Sequence, residues 1–242
     1  SLMLGLGNSI TSGAALDEFN LNQISGLIAW YKFNTLITLN GSNVSLWGDS
    51  SGNDNNLRQT TASSQPAYND GDIHFDGSDD FLGLGADIEI TTGFTVMAVI
   101  STDSTSSTNQ TLFSGATTGK NFFRYDTTTW RFRPESGSNS QGTIVHSLTN
   151  GEKFLITIIG SVVTGPTLNY AVRDNGSAVA NTTVTNHVNS SKIMFANIAT
   201  HAQANGQYWD GKISEFALFD AAISGDDLTN AEDDLMTRHG IS

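Results

Sequence analysis

The sequence predicts an all-β domain: two antiparallel sheets packed as a sandwich, preceded by an extended N-terminal arm and closed by one short C-terminal helix. Three observations carry this. From Gly26 onward, short runs of β-branched and aromatic residues recur between clusters of Gly, Asn, Asp and Ser, the alternation of strands and turns in a sandwich. Only 14 % of the residues are charged while 13 Phe, 5 Tyr and 4 Trp are available, so a large core can be buried beneath a surface of Ser, Thr, Asn and Gly. A helical period occurs in a single segment, near the C-terminus.

Residues 1–24 read as the arm. There Leu2, Met3, Leu4, Leu6 and Ile10 are spaced by glycines with neither a helical nor a strand period, and glycine lets such a backbone approach another chain closely. The domain is expected over 25–242, with strands at 27–33, 73–75, 81–84, 94–100, 111–114, 122–125, 130–133, 154–159, 168–173, 192–196 and 212–219. Asp76-Gly77-Ser78, Asp174-Asn175-Gly176 and Asp210-Gly211 place residues tolerant of positive φ between apolar runs, as hairpin or strand-opening turns. Both faces of the run Phe154-Leu155-Ile156-Thr157-Ile158-Ile159 are apolar, which predicts a central strand covered on both sides. In Thr129-Trp130-Arg131-Phe132-Arg133 the aromatic and arginine side chains point to opposite faces, so one sheet face carries charge. The helix is expected over 224–239. Ser224 and Asp227 form a capping-box-like start, Leu228, Ala231, Leu235 and Met236 form an apolar stripe, and Gly240 stops it after Arg238 and His239. Asp226, Asp227, Glu232, Asp233 and Asp234 make its solvated face.

Four of these segments, in consistent order, carry a family likeness: Gly26-Leu27-Ile28-Ala29-Trp30-Tyr31, Trp47-Gly48-Asp49-Ser50-Ser51-Gly52-Asn53, Ile73-His74-Phe75-Asp76-Gly77-Ser78-Asp79-Asp80-Phe81-Leu82, and Trp209-Asp210-Gly211-Lys212-Ile213-Ser214-Glu215-Phe216 with the helix that follows. Together they resemble the LamG-like jelly roll of the concanavalin A-like lectin/glucanase superfamily. The arm Met3-Leu4-Gly5-Leu6-Gly7-Asn8-Ser9-Ile10, joined directly to such a domain, resembles virion structural proteins of tailed phages, especially marine ones. The resemblance implies a non-enzymatic virion protein: a capsid decoration, head fibre or tail appendage. Its implied partners are the major capsid protein and other copies of itself, and its implied location is the virion.

Composition narrows the function further. With 11 Lys+Arg against 24 Asp+Glu, the net charge is −13, which argues against nucleic acid and anionic membranes as partners. No cysteine is present, so disulfides, a thiol nucleophile and a zinc–thiolate site are excluded. No leader with a basic stretch before an apolar one is read in residues 1–25, and no apolar run is long enough to span a bilayer. The superfamily's glycoside hydrolases carry Glu-x-Asp-x-x-Glu on one strand; here Glu89, Glu135, Glu152 and Glu215 stand isolated, so a polysaccharide-degrading enzyme is the lesser alternative.

Carbohydrate binding is the main alternative, because sugars stack on aromatic faces and bond to polar loop residues. Trp47, Tyr68, Tyr125, Trp130, Tyr208 and Trp209 are the aromatic candidates, of which at most two are expected on one exposed site. Tyr125 and Trp130, with the arginines Arg124, Arg131, Arg133 and Arg173 of the central strands, make the expected glycan or partner contact. The bland reading of those arginines is ion pairing with Asp126, Glu135 and Asp174; the sharper one is a contact for an acidic neighbour. No cofactor is expected apart from calcium, for which Asp76, Asp79 and Asp80 are the preferred ligands among several loop carboxylates.

Overall fold

The computed structural model describes residues 19–117, 121–133, 141–163, 167–185, 193–201 and 207–242. Two antiparallel layers face each other. In the first, β17 (Asp210–Phe219) is flanked along one edge by β8 (Gly93–Thr102), followed by β13 (Phe154–Val163), β14 (Thr167–Asp174) and β15 (Ser177–Thr185). The other edge of β17 is shared by β6 (Asp72–Asp76) along its first residues and β1 (Leu27–Tyr31) along its last. The second layer runs β4 (Leu57–Arg58), β7 (Leu82–Ile90), β16 (Ile193–Ile198), β9 (Gln110–Ser114), β10 (Phe122–Asp126), β11 (Thr129–Arg133) and β12 (Gly142–Val145). A hairpin of β2 (Ile37–Asn40) and β3 (Asn43–Trp47) extends this layer beyond β4, and β5 (Ala67–Asn69) links it to β6. Every expected strand is present; β2, β3, β4, β5, β12 and β15 are additional.

The main core lies between the layers and is rich in rings. Phe113 stacks on Phe123 at 5.8 Å, Phe123 on Trp130 at 4.8 Å, and Trp130 on Trp209 at 6.2 Å. A second cluster lies on the opposite side of the first layer, where Trp30, Met97, Val99, Leu155 and Phe219 pack against Ala231 and Leu235 of α1 (Gly225–His239). The central strands of the first layer are therefore buried on both faces, which is why β8 is buried along its whole length and why the 154–159 run is apolar on both sides.

Leu21 and Ile24 belong to this second cluster, and Leu21–Gln23 forms one 3-10 turn capped by the Asn20 side chain. Leu21 and Ile24, which fall within the expected arm, are thus packed on the domain, with Phe19 partly buried beside them. Leu2, Met3, Leu4, Leu6 and Ile10 lie outside the described residues.

Two expectations about α1 change. Ser224 occupies the N-cap with extended backbone, but its side chain makes no capping hydrogen bond, so the capping box does not form. Glu232, assigned to the solvated face, is buried because Arg173 of β14 binds it in bidentate fashion, Nε and Nη2 donating at 2.8 Å each. The C-terminal stop is as expected: Gly240 is left-handed, and Ile241 N–H donates back to the Met236 carbonyl at 2.9 Å.

A buried carboxylate fastens this end of the chain. Glu215, 1 % exposed in β17, accepts from the Trp30 indole N–H at 2.7 Å and lies 2.8 Å from His239 Nε2, while Arg238 binds the same carboxylate and Asp234. The isolated glutamate of the closing strand is a structural latch between β1, β17 and α1.

Candidate functional site

Strand alternation sorts the expected contact residues onto two faces of the second layer. Tyr125 and Trp130 pair across β10 and β11 and point inward with Phe123 and Phe132. Both are fully buried. The Tyr125 hydroxyl donates to the Thr127 carbonyl and accepts from Leu148 N–H at 3.0 Å. Neither ring offers a face to a sugar, and the expectation that they form the contact is corrected. Trp47 and Trp209 are buried as well; among the six aromatic candidates only Tyr68 and Tyr208 keep partial exposure.

The opposite face of β10 and β11 is built from Phe122, Arg124, Arg131 and Arg133. Arg124 stands directly across from Arg131, and Phe122 across from Arg133. Arg124 and Arg133 both lay their guanidinium carbon over the Phe122 ring, at 4.4 and 4.7 Å from its centroid, and His201 meets the ring edge-on at 5.0 Å. The Gln207 amide oxygen accepts from Arg124 Nη1 at 3.1 Å and contacts His201 Nδ1 at 3.0 Å. An oxygen already receiving the guanidinium must also be the acceptor for the imidazole, so Nδ1 carries the proton. Nε2 is then the acceptor facing Arg133 Nη2 at 3.4 Å.

The charge on this face is concentrated. Arg131 pairs with Asp126 at 2.8 Å, as the bland reading expected. Burial lowers the pKa of Arg124, and the neighbouring charges of Arg131 and Arg133 lower it further against the pull of Asp126. Arg173 is not part of the group: it lies on the first layer and is held by Glu232, which raises its pKa. Asp174, one of the carboxylates expected to pair with the arginines, instead faces His146 Nε2 at 3.1 Å. Glu135 lies outside the described residues.

The calcium candidates Asp76, Asp79 and Asp80 do converge, with carboxylate oxygens within 4.8 Å of one another. The loop already uses them: Asp76 accepts from the backbone N–H groups of Ser78 and Asp79, Asp79 from the Ser64 hydroxyl, and Asp80 from Asp76 N–H. Asp49, in the family-like loop, is likewise structural, accepting from Trp30 N–H, Ser51 N–H and hydroxyl, and Asn55 N–H.

Burial, reinforced by Asp76, raises the Asp80 pKa to about 6. A carboxyl that holds its proton more tightly when folded makes its ionised form destabilising, so its contribution to stability is lost as pH rises through the interval from about 4 to 6. Asp80→Asn, which keeps an acceptor without the charge, is expected to stabilise the protein by about 1–3 kcal/mol at pH 8. The gain should shrink towards zero at pH 4 in thermal melts; a gain independent of pH would refute the assignment.

Two open hollows that the sequence did not signal flank Arg58. One, of about 350 Å³, includes Phe81, Gly83 and Leu84; the other, of about 500 Å³, includes Thr38, Asn40 and Gln65. Gln59 and Thr60 line both.

No protein-family model matches the chain, and no curated protein sequence matches it. Among solved structures, a sialidase of Trypanosoma rangeli in complex with 2,3-difluoro-KDN is similar at TM-score 0.62 and 12 % identity, over 90 % of this chain and 34 % of that one. The binding domain of Paraclostridial Mosquitocidal Protein 1 is similar at 0.59 and 11 %, over 90 % and 53 %. Domain 4 of AbnA, a GH43 extracellular arabinanase from Geobacillus stearothermophilus, in complex with arabinotriose, is similar at 0.58 and 18 %, over 85 % and 97 %. The chain thus spans about a third of the sialidase and half of the toxin domain but nearly all of the arabinanase domain. Such identities speak for the fold alone, and the fold is a concanavalin A-like sandwich of two antiparallel sheets.

Proposed function

We propose that this chain is a non-enzymatic, lectin-like module that binds glycan and is carried by a structural protein of a tailed-phage particle. One observation carries the binding part: guanidinium, imidazole and amide groups converge around Phe122 on the outer face of β10 and β11. That face stands on a scaffold whose other layer is closed by α1. The guanidinium donors among them, Arg124 and Arg133, are held by strands rather than loops and so are preorganised for a polar ligand. The arabinanase domain, solved with arabinotriose and matched over 97 % of its length, supports a sugar as that ligand. With Tyr125 and Trp130 in the core, recognition is by hydrogen bonds and charge rather than by ring stacking.

The particle assignment follows from the arm's resemblance. In this reading Leu2, Met3, Leu4, Leu6 and Ile10 anchor the domain to the major capsid protein or another virion neighbour, or to a second copy.

Two measurements test the proposal. Calorimetric titration with ligands selected from a glycan array is expected to show saturable binding without turnover. Silence across the array, or release of cleaved sugar, would overturn the binding module. Mass spectrometry of purified particles is expected to find the protein, and deletion of residues 2–13 to lower its incorporation; unchanged incorporation would reject the anchor.

A further inference from the structure

We infer that the ligand of this face is anionic: a sugar bearing a carboxylate or sulfate group, which seats on Arg124 between Arg131 and Arg133. The inference rests on the glycan-binding reading above and narrows its ligand class.

The argument starts from where a very acidic chain spends its arginines. At net charge −13 it has few cations, yet three arginines fall within residues 124–133 and share one face of two paired strands. Like charges placed directly across a ladder destabilise the pair, so folding alone gives no reason for Arg124 to oppose Arg131. A buried charge normally persists because an opposite charge meets it. Arg124 is 9 % exposed, and among the described residues it donates to the neutral Gln207 amide and lies over the Phe122 ring. Its Nε is buried with no hydrogen-bond partner, and so is the hydroxyl of Thr111, the residue opposite it on β9. Asp126, the carboxylate acting on Arg124, is already bonded to Arg131. Among the described residues, Arg124 and Thr111 therefore offer buried donors that no acceptor meets.

A planar carboxylate or a sulfate is the group that guanidinium forks match best. The overall negative charge repels an extended polyanion, so the selected ligand is a largely neutral glycan with an acid group at the contact.

An array carrying neutral, uronate-bearing, sialylated and sulfated oligosaccharides, probed with the full chain, tests this. Hits are expected among the acidic glycans. In calorimetry a uronate-bearing hit should bind about tenfold or more tightly than its carboxyl-reduced form. Arg131→Gln, at the exposed end of the group, should weaken the acid form by about tenfold, well beyond its effect on the reduced form. Arg124→Gln should remove the preference for acid. Equal affinity for acid and reduced forms, hits confined to neutral glycans, or acid binding indifferent to Arg131→Gln would each overturn the anionic assignment while leaving the glycan module standing. No binding to any glycan would overturn both.

Discussion

Replacing Glu215 by alanine should unfold the protein at a far lower temperature than any surface substitution, at a cost of about 3–5 kcal/mol. The reason is what the change leaves behind. Glu215 is the single carboxylate on which the Trp30 indole, the Arg238 guanidinium and the His239 imidazole meet, and the His239 side chain is itself 1 % exposed. Without it, the imidazole and the indole N–H lose their acceptor inside a closed interface while Arg238 keeps only Asp234, and the desolvation cost is no longer offset. At roughly 2–4 °C per kcal/mol for a domain of this size, the midpoint should fall by about 10 °C. Glu215→Gln, which keeps an acceptor oxygen but loses the charge, should fall between. A melt of Glu215→Ala within a degree or two of the parent would show that the latch contributes nothing.

Gly211→Ala should be comparably damaging, for a steric reason. Gly211 has φ +142°, and a Cβ placed there would sit 2.2 Å from the Ser101 carbonyl oxygen and 2.8 Å from Thr102 Cα. Both obstacles are backbone of β8, so no rotamer change relieves them. Backbone strain and overpacking together suggest about 3–5 kcal/mol. Gly41→Ala is the matched control: φ is again positive, at +67°, but nothing lies within 4 Å of the new methyl group, so only the conformational cost of about 1 kcal/mol remains. Equal melting temperatures for the two variants would mean that the approach of β8 to β17 is looser than described.

Much of the scaffold was legible because its central strands are apolar or alternate cleanly. The strands missed are those whose physics is weaker in sequence. The β2 hairpin strand is largely exposed and carries Thr38 and Asn40 beside its apolar residues, while β15 is built mostly of Ser, Ala, Asn and Thr. The turn into β15 was nonetheless readable, since Asn175 and Gly176 both take positive φ. In the site, alternation alone placed Arg131 and Arg133 together, but it could not say which face was the core, so Tyr125 and Trp130 were assigned to the wrong side. His201 and Gln207 reach the same face from far along the chain and leave no spacing to detect. The misreading of Glu232 has the same origin: its partner, Arg173, is separated by 59 positions, and a helical wheel shows only a hydrophilic stripe.

The position of β17 has a kinetic consequence. It is the last strand of the domain, yet it stands at the middle of the first layer, touching β1, β6 and β8. During synthesis every earlier strand of that layer must wait on the ribosome without its central neighbour, with the apolar inner faces of β1 and β8 uncovered. Closing such distant pairings is slow, and the waiting chain is the species most exposed to aggregation. Closure of the sandwich is thus a late event in folding, completed when Phe216, Leu218 and Phe219 arrive to fill the gap.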